Sequence, residues 1–229
     1  MPVTISAPAA RPTARKTPKA ATKAPKVRDA SVTKSRILDC AIQEFADHGY
    51  DGARIERIVK QADVNVSLAY QYFGSKENLF IAVMEQAYDL MRANHRDFDI
   101  RGLEPMEAME SLVRWTFQIF VKNPQLIGLL NSENVQRGRH IAKSTYIRGL
   151  YNPLLDTIET VLKRGAKEKV FRDDVKAEDL FISMNGMGYF YLSNRFTLGV
   201  ILGRDLMKPS AIRHHEEHIV QVLLGYLRR

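Results

Sequence analysis

The residues best suited to chemistry lie close together, in Asn65-Val66-Ser67-Leu68-Ala69-Tyr70-Gln71-Tyr72 and the nearby Lys76. Tyr70 and Tyr72 carry hydroxyls at the ends of rigid rings, which suits hydrogen bonding to phosphate oxygens. Gln71 has the paired donor and acceptor that match an adenine edge, and Val66 and Leu68 offer apolar contact to a thymine methyl. Asn65 and Ser67 add short polar groups. Lys76 stands in the first turn of a helix, where free backbone N–H groups also attract phosphate, and Arg54 is a further phosphate ligand. The chemistry expected is a non-covalent grip on a nucleic-acid duplex.

Covalent chemistry finds no support. The chain has no Gly-rich phosphate loop, no zinc-ligand spacing and no recognisable Ser/His/Asp or Cys/His motif, so neither an enzyme nor a cofactor is expected. Cys40 is the single cysteine and reads as a small helix residue. His214 and His218 are one helical turn apart, yet the run His214-His215-Glu216-Glu217-His218 lacks Glu directly after the first His. It reads as a solvated helix face, and no metal site is expected.

The formal net charge is +8, with a pI near 9.6, which suggests a polyanionic partner. Its location is informative. Arg11, Arg15, Lys16, Lys19, Lys23, Lys26 and Arg28 stand against Asp29 alone, so residues 1–30 carry six of the eight net charges. This stretch of Ala, Pro, Thr and cations has too little apolar surface to offset chain entropy and is expected to be disordered. It reads either as an arm adding affinity for DNA through counterion release or as a solubilising tail, with a transit peptide as a third reading. No run of 18 apolar residues suggests a membrane span, and a cytoplasmic location is expected.

The elements that must position the candidate residues are helices throughout. Ile37, Leu38, Ala41, Ile42 and Phe45 form one stripe of a first helix that should stop near Gly49. Ile55 to Ala62 makes a short second helix, Asp63 to Asn65 a turn, and Ser67 to Phe73 a third helix. Gly74 and Ser75 end that helix and cap a fourth, which begins at Lys76. Further helices are expected at Met106 to Lys122, after Asn123-Pro124, and at Tyr146 to Lys163, Ala177 to Phe196 and Ser210 to Leu227. The fold class is all-α. A helix-turn-helix domain over residues 31–82 is followed by a helical bundle over residues 83–229.

The string Leu68-Ala69-Tyr70-Gln71-Tyr72-Phe73-Gly74-Ser75-Lys76-Glu77-Asn78-Leu79-Phe80 resembles the end of the recognition helix, and the start of the next helix, in the TetR family of transcriptional regulators. The likeness extends back through Ile37 to Ala41 and Phe45 to Gly52, and it implies that Asn65, Val66, Ser67, Leu68 and Gln71, at the start of the recognition helix, are the groove-facing positions. Asp63 stands where relatives usually have Gly, Ala69 at a common Leu position, and Ala53 in place of a frequent Thr cap. Aspartate tolerates the left-handed turn conformation, so the turn should survive.

The resemblance implies a repressor that two recognition helices hold on a palindromic operator and that a small molecule releases. It implies a homodimer through the last two long helices, about Ala177 to Phe196 and Ser210 to Leu227; the sequence independently shows Phe181, Met184, Met187, Gly188, Tyr191 and Leu192 along the first and Ile212, Ile219, Val222, Leu223 and Tyr226 along the second. Read without the family, those stripes are plain core. Trp115, Phe120, Asn131, Glu133, Asn134, Arg137, Asn185 and Tyr189 are the candidate effector contacts, being aromatic or polar groups amid apolar helices. The Asn131-Ser132-Glu133-Asn134 run reads equally well as a helix end. The competing function is a sequence-indifferent DNA compactor that works through the basic arm.

Overall fold

The computed structural model describes residues 27–96, 100, 102–149 and 153–229. Most of the basic stretch, residues 1–26, lies outside them. The described residues form helices α1 (Val27–Gly52), α2 (Ile55–Gln61), α3 (Val66–Phe73), α4 (Lys76–Arg96), α5 (Pro105–Lys122), α6 (Pro124–Val135), α7 (Thr145–Gly149), α8 (Pro153–Lys167), α9 (Ala177–Ser193), α10 (Arg195–Leu202) and α11 (Pro209–Leu227). Among them the one extended pairing is an isolated bridge between Phe171 and Arg228. No helix there is long and apolar enough to cross a membrane. The first helix starts at Val27, so the end of the stretch read as an arm is helical.

Helix α1 buries Ile37, Ala41 and Phe45, spaced one turn apart, against α4 and α6. Gly49, at φ +66°, interrupts it where the sequence suggested a stop, and one kinked turn continues to Gly52. Cys40 is half-buried on α1, where burial and the neighbouring Asp39 push its thiol pKa up, away from reactivity. Helix α5 forms the axis of the second domain. It buries Met109, Leu112, Val113, Phe117 and Phe120 among α8, α9 and α11.

Helix α6 is packed on more than one side, against α1, α5 and α9, with Leu126, Ile127 and Leu129 buried in its first half and Ser132 and Glu133 buried in its second. Its Gly128 is essential to that position. A Cβ there would lie 2.2 Å from the Ala46 carbonyl oxygen, so α1 and α6 meet backbone to backbone.

Of the expected span Tyr146 to Lys163, the described residues show α7 up to Gly149 and α8 from Pro153, and residues 150–152 lie outside the described residues. One expected long helix is broken. Ala177 to Phe196 ends at Ser193, and α10 follows after a turn at Asn194. The expected dimer stripe also divides. Met184, Gly188, Tyr191, Leu192, Ile212, Ile219 and Leu223 are buried within the chain. The exposed apolar face belongs instead to Ile182 and Phe190 on α9, Phe196, Val200, Ile201 and Leu202 on α10, and Val222 and Tyr226 on α11.

The histidine run is not a freely solvated face. His215 stacks on Tyr191 with ring centroids 3.9 Å apart, and burial lowers its pKa from the ordinary histidine value. Glu216 accepts from Gln118 Nε2 at 2.9 Å, and Glu217 pairs with Arg114 at 2.6 Å. Among the described residues no three potential ligands gather as a metal site.

Candidate nucleic-acid interface

Helix α3 is fixed from below and open above. Ala69 and Phe73 are buried where α3 packs on α1, α2 and α4. The small Ala69 therefore belongs to the packed underside. The turn before α3 closes with the Val64 N–H donating to the Val59 carbonyl at 3.0 Å, and Asp63 takes φ +51°, the left-handed conformation expected of it. Asn65 caps α3, its Oδ1 accepting from the Ser67 N–H at 2.9 Å and the Ser67 hydroxyl at 3.0 Å. Its amide N–H groups remain for an outside partner. Ser75 accepts from the Asn78 N–H at 3.1 Å and so starts α4.

The upper side carries the candidates. Asn65, Val66, Ser67, Tyr70 and Gln71 are exposed, Tyr70 by 47%, while Leu68 and Tyr72 are half-buried. Arg54 is exposed at the start of α2. Lys76 is half-buried, with its ammonium 4.9 Å from the centre of the Tyr50 ring and 3.4 Å from the Asp51 carbonyl. Burial, with repulsion from Arg54 in support, lowers its pKa from the usual lysine value. A phosphate arriving there would restore the counter-charge that lost solvent supplied.

What aligns α2 was not legible in the sequence. Arg54 is its N-cap and makes no side-chain capping bond, and the backbone of this cap residue is held from α1. Glu44, only 7% exposed, accepts from the Arg54 N–H at 2.9 Å and from Arg57 Nε at 2.8 Å. The N-cap is thus Arg54 and not Ala53, where the family resemblance placed it; Ala53 is buried in the core beside it. Burial alone would raise the Glu44 pKa, but the bonds from Arg57 and the Arg54 N–H bring it below the ordinary carboxylate value.

The α6–α7 connection clasps this head to the second domain. Ser132 Oγ accepts from the Tyr50 N–H at 2.8 Å, Gln136 donates to Asp51 at 2.7 Å, and Lys143 pairs with Glu77 at 2.6 Å. Ser144 donates to Glu85 at 2.6 Å. His140, fully buried, packs its ring 4.3 Å from Tyr50 and 4.8 Å from Phe80 between centroids. Ser132 and His140 were not singled out in the sequence, since their partners lie on helices far away along the chain.

The candidate effector residues divide. Phe120, Asn131 and Tyr189 come together: the rings of Phe120 and Tyr189 are 6.1 Å apart, and the Tyr189 hydroxyl donates to Asn131. Asn131 also lines a cleft of about 360 Å³ shared with Tyr50, Gly128 and Gln136. Trp115 is half-buried against the core. Asn185 Nδ2 donates to the Phe181 carbonyl, and Asn134 Nδ2 to that of Leu130. Arg137 is exposed at φ +58°, and Glu133 is committed to His140.

A helix-turn-helix with an anchored underside and a polar outer face, joined to an all-helical second domain, defines a DNA-binding regulator rather than an enzyme. Comparison with known proteins agrees. The family of bacterial regulatory proteins described as tetR matches residues 37–83, and the tetracyclin repressor-like C-terminal domain matches residues 105–223. The transcriptional repressor NicS of Pseudomonas putida KT2440 is 32% identical over 204 residues, covering 89% of this chain and 96% of its own. The repressor SCO4008 of Streptomyces coelicolor is 49% identical over 113 residues, 48% of this chain and 54% of its own. Among solved structures, the ketosteroid transcriptional regulator KstR2 of Mycobacterium tuberculosis superposes with a TM-score of 0.65 at 17% identity, covering 86% of this chain and 95% of that one. The chain belongs to the TetR family.

Proposed function

We propose that the protein represses transcription as a homodimer that lays two copies of α3 in successive major grooves of a palindromic operator and leaves it when a small molecule occupies the second domain. The observation that carries the reading is the exposed row of Asn65, Val66, Ser67, Tyr70 and Gln71 on a helix held by buried Ala69 and Phe73. Gln71 reads a base, Tyr70, Tyr72, Lys76 and Arg54 hold phosphates, and repression follows from occupancy of the promoter, where the DNA of a bacterial cytoplasm is accessible. A hundredfold release needs about 2.7 kcal/mol of differential effector affinity, within ordinary allosteric coupling.

Alanine at Gln71 is expected to lower affinity for the operator by about 1–3 kcal/mol and to relax preference at one base position. Phenylalanine at Tyr70 should weaken all sequences alike. Anisotropy titrations on a fragment of the gene's own upstream region and on a shuffled copy separate the two effects. Equal losses for Gln71→Ala on both fragments would remove it from base reading.

The dimer face proposed is the exposed apolar row on α9, α10 and α11, where Val200 is 84% and Phe196 73% exposed. Charge there has no compensating partner in a desolvated interface. Val200→Glu together with Ile201→Glu is expected to yield monomers in sedimentation equilibrium with unchanged helical circular dichroism. A persistent dimer would place the interface elsewhere.

A further inference from the structure

Three consecutive residues of α6 bond in three directions. Asn131 accepts from Tyr189 and from Ser193 Oγ on α9, the latter at 3.0 Å. Ser132 accepts from the Tyr50 N–H beside the Gly49 kink of α1. Glu133, 3% exposed, accepts from the His140 N–H at 2.8 Å and the Ile141 N–H at 3.0 Å through one oxygen, and meets His140 Nδ1 at 2.7 Å through the other. We propose that this run is the joint that sets the tilt of the DNA-reading head on the second domain, with His140 as its positioning residue.

The bonds to Glu133 hold the loop after α6 in one conformation, including left-handed Arg137 and Gly138 at φ +58° and +71°. That conformation drives the His140 ring between Tyr50 and Phe80, one residue from each of the head's helices α1 and α4. His140 Nε2 has no hydrogen-bond partner, so the ring's place is set by Glu133 and by its aromatic neighbours. Tyr50 in turn lies beneath the ammonium of Lys76. The contacts thus run without a gap from α9 through α6 to a proposed phosphate ligand.

The inference deepens the DNA-reading assignment, but its test requires no DNA, so failure of operator binding and failure of the joint are read separately. Spin labels are placed at Lys60→Cys on α2 and Lys163→Cys on α8, both exposed, in a Cys40→Ser background diluted into unlabelled protein. The distance distribution measured by pulsed electron resonance is expected to be narrow in this parent and broad in His140→Ala. Glu133→Gln, which preserves shape, should broaden it in the same way to a smaller extent. Leu227→Ala empties core remote from the joint and should lower the melting temperature while leaving the distribution narrow. A narrow distribution in His140→Ala, or equal broadening in Leu227→Ala, would overturn the proposal.

Discussion

Alanine at Gly128 is expected to destabilise the protein by about 2 kcal/mol or more, although alanine is the better helix former by about 1 kcal/mol. The added methyl would fall 2.2 Å from the Ala46 carbonyl oxygen and about 3 Å from that residue's carbonyl carbon and Cα. Backbone atoms have no rotamer by which to move aside, so α1 and α6 must separate. The separation would also disturb the Tyr50–Ser132 bond, one turn along both helices. In a chain of this length each kcal/mol corresponds to about 2–4 °C, so the melting temperature should fall by about 4–8 °C or more. Calorimetry on Gly128→Ala checks this. A rise in melting temperature would mean that helix propensity dominates and that the close approach is soft.

The second large effect is expected at Glu44. Glu44→Ala leaves the Arg54 N–H without its acceptor and frees Arg57, which is half exposed and returns to water, at an expected cost of about 1–3 kcal/mol. The sign of the pH dependence follows from the lowered pKa of Glu44 in the folded state. A carboxylate of depressed pKa contributes stability that is fully present above its unfolded value, near pH 4.3, and is lost as pH falls through the folded value. The difference in stability between the parent and Glu44→Ala should therefore be flat from pH 7 to about 5 and shrink below about 4. Denaturant unfolding of both proteins across that range measures it. A difference that grows on acidification would contradict the assigned role.

What the sequence disclosed and what it concealed divide along one physical line. Periodicity belongs to a single helix, so α1 to α6 could be placed from patterns such as Ile37, Ala41 and Phe45, with Asp63 in its left-handed turn. Contacts between helices are a different matter. Gly128 reads in sequence as a weak point in a helix, and its purpose becomes visible only when Ala46 lies against it. Glu44 holds the backbone of Arg54, ten residues later along the chain, and a search for caps limited to the helix's own first residues passes over it. The stripes on α9 and α11 were read correctly as apolar, but a helix with two apolar sides does not say which one faces inward. Here the buried side is Met184, Tyr191 and Leu192, and α10 supplies much of the exposed one. The break at Asn194 carried a local signal, an asparagine at a helix end, which the long apolar patterns on either side outweighed.

The central claim is that α3 recognises particular DNA sequence, with the basic stretch as an accessory. The most direct test titrates the full chain and a form lacking residues 1–26 onto labelled upstream DNA, with shuffled competitor present and salt varied. The account predicts that the shortened protein keeps its preference for the upstream fragment while its salt slope becomes shallower, because fewer counterions are released. Loss of all sequence preference on shortening, with most of the binding gone, would contradict it and favour a sequence-indifferent DNA compactor.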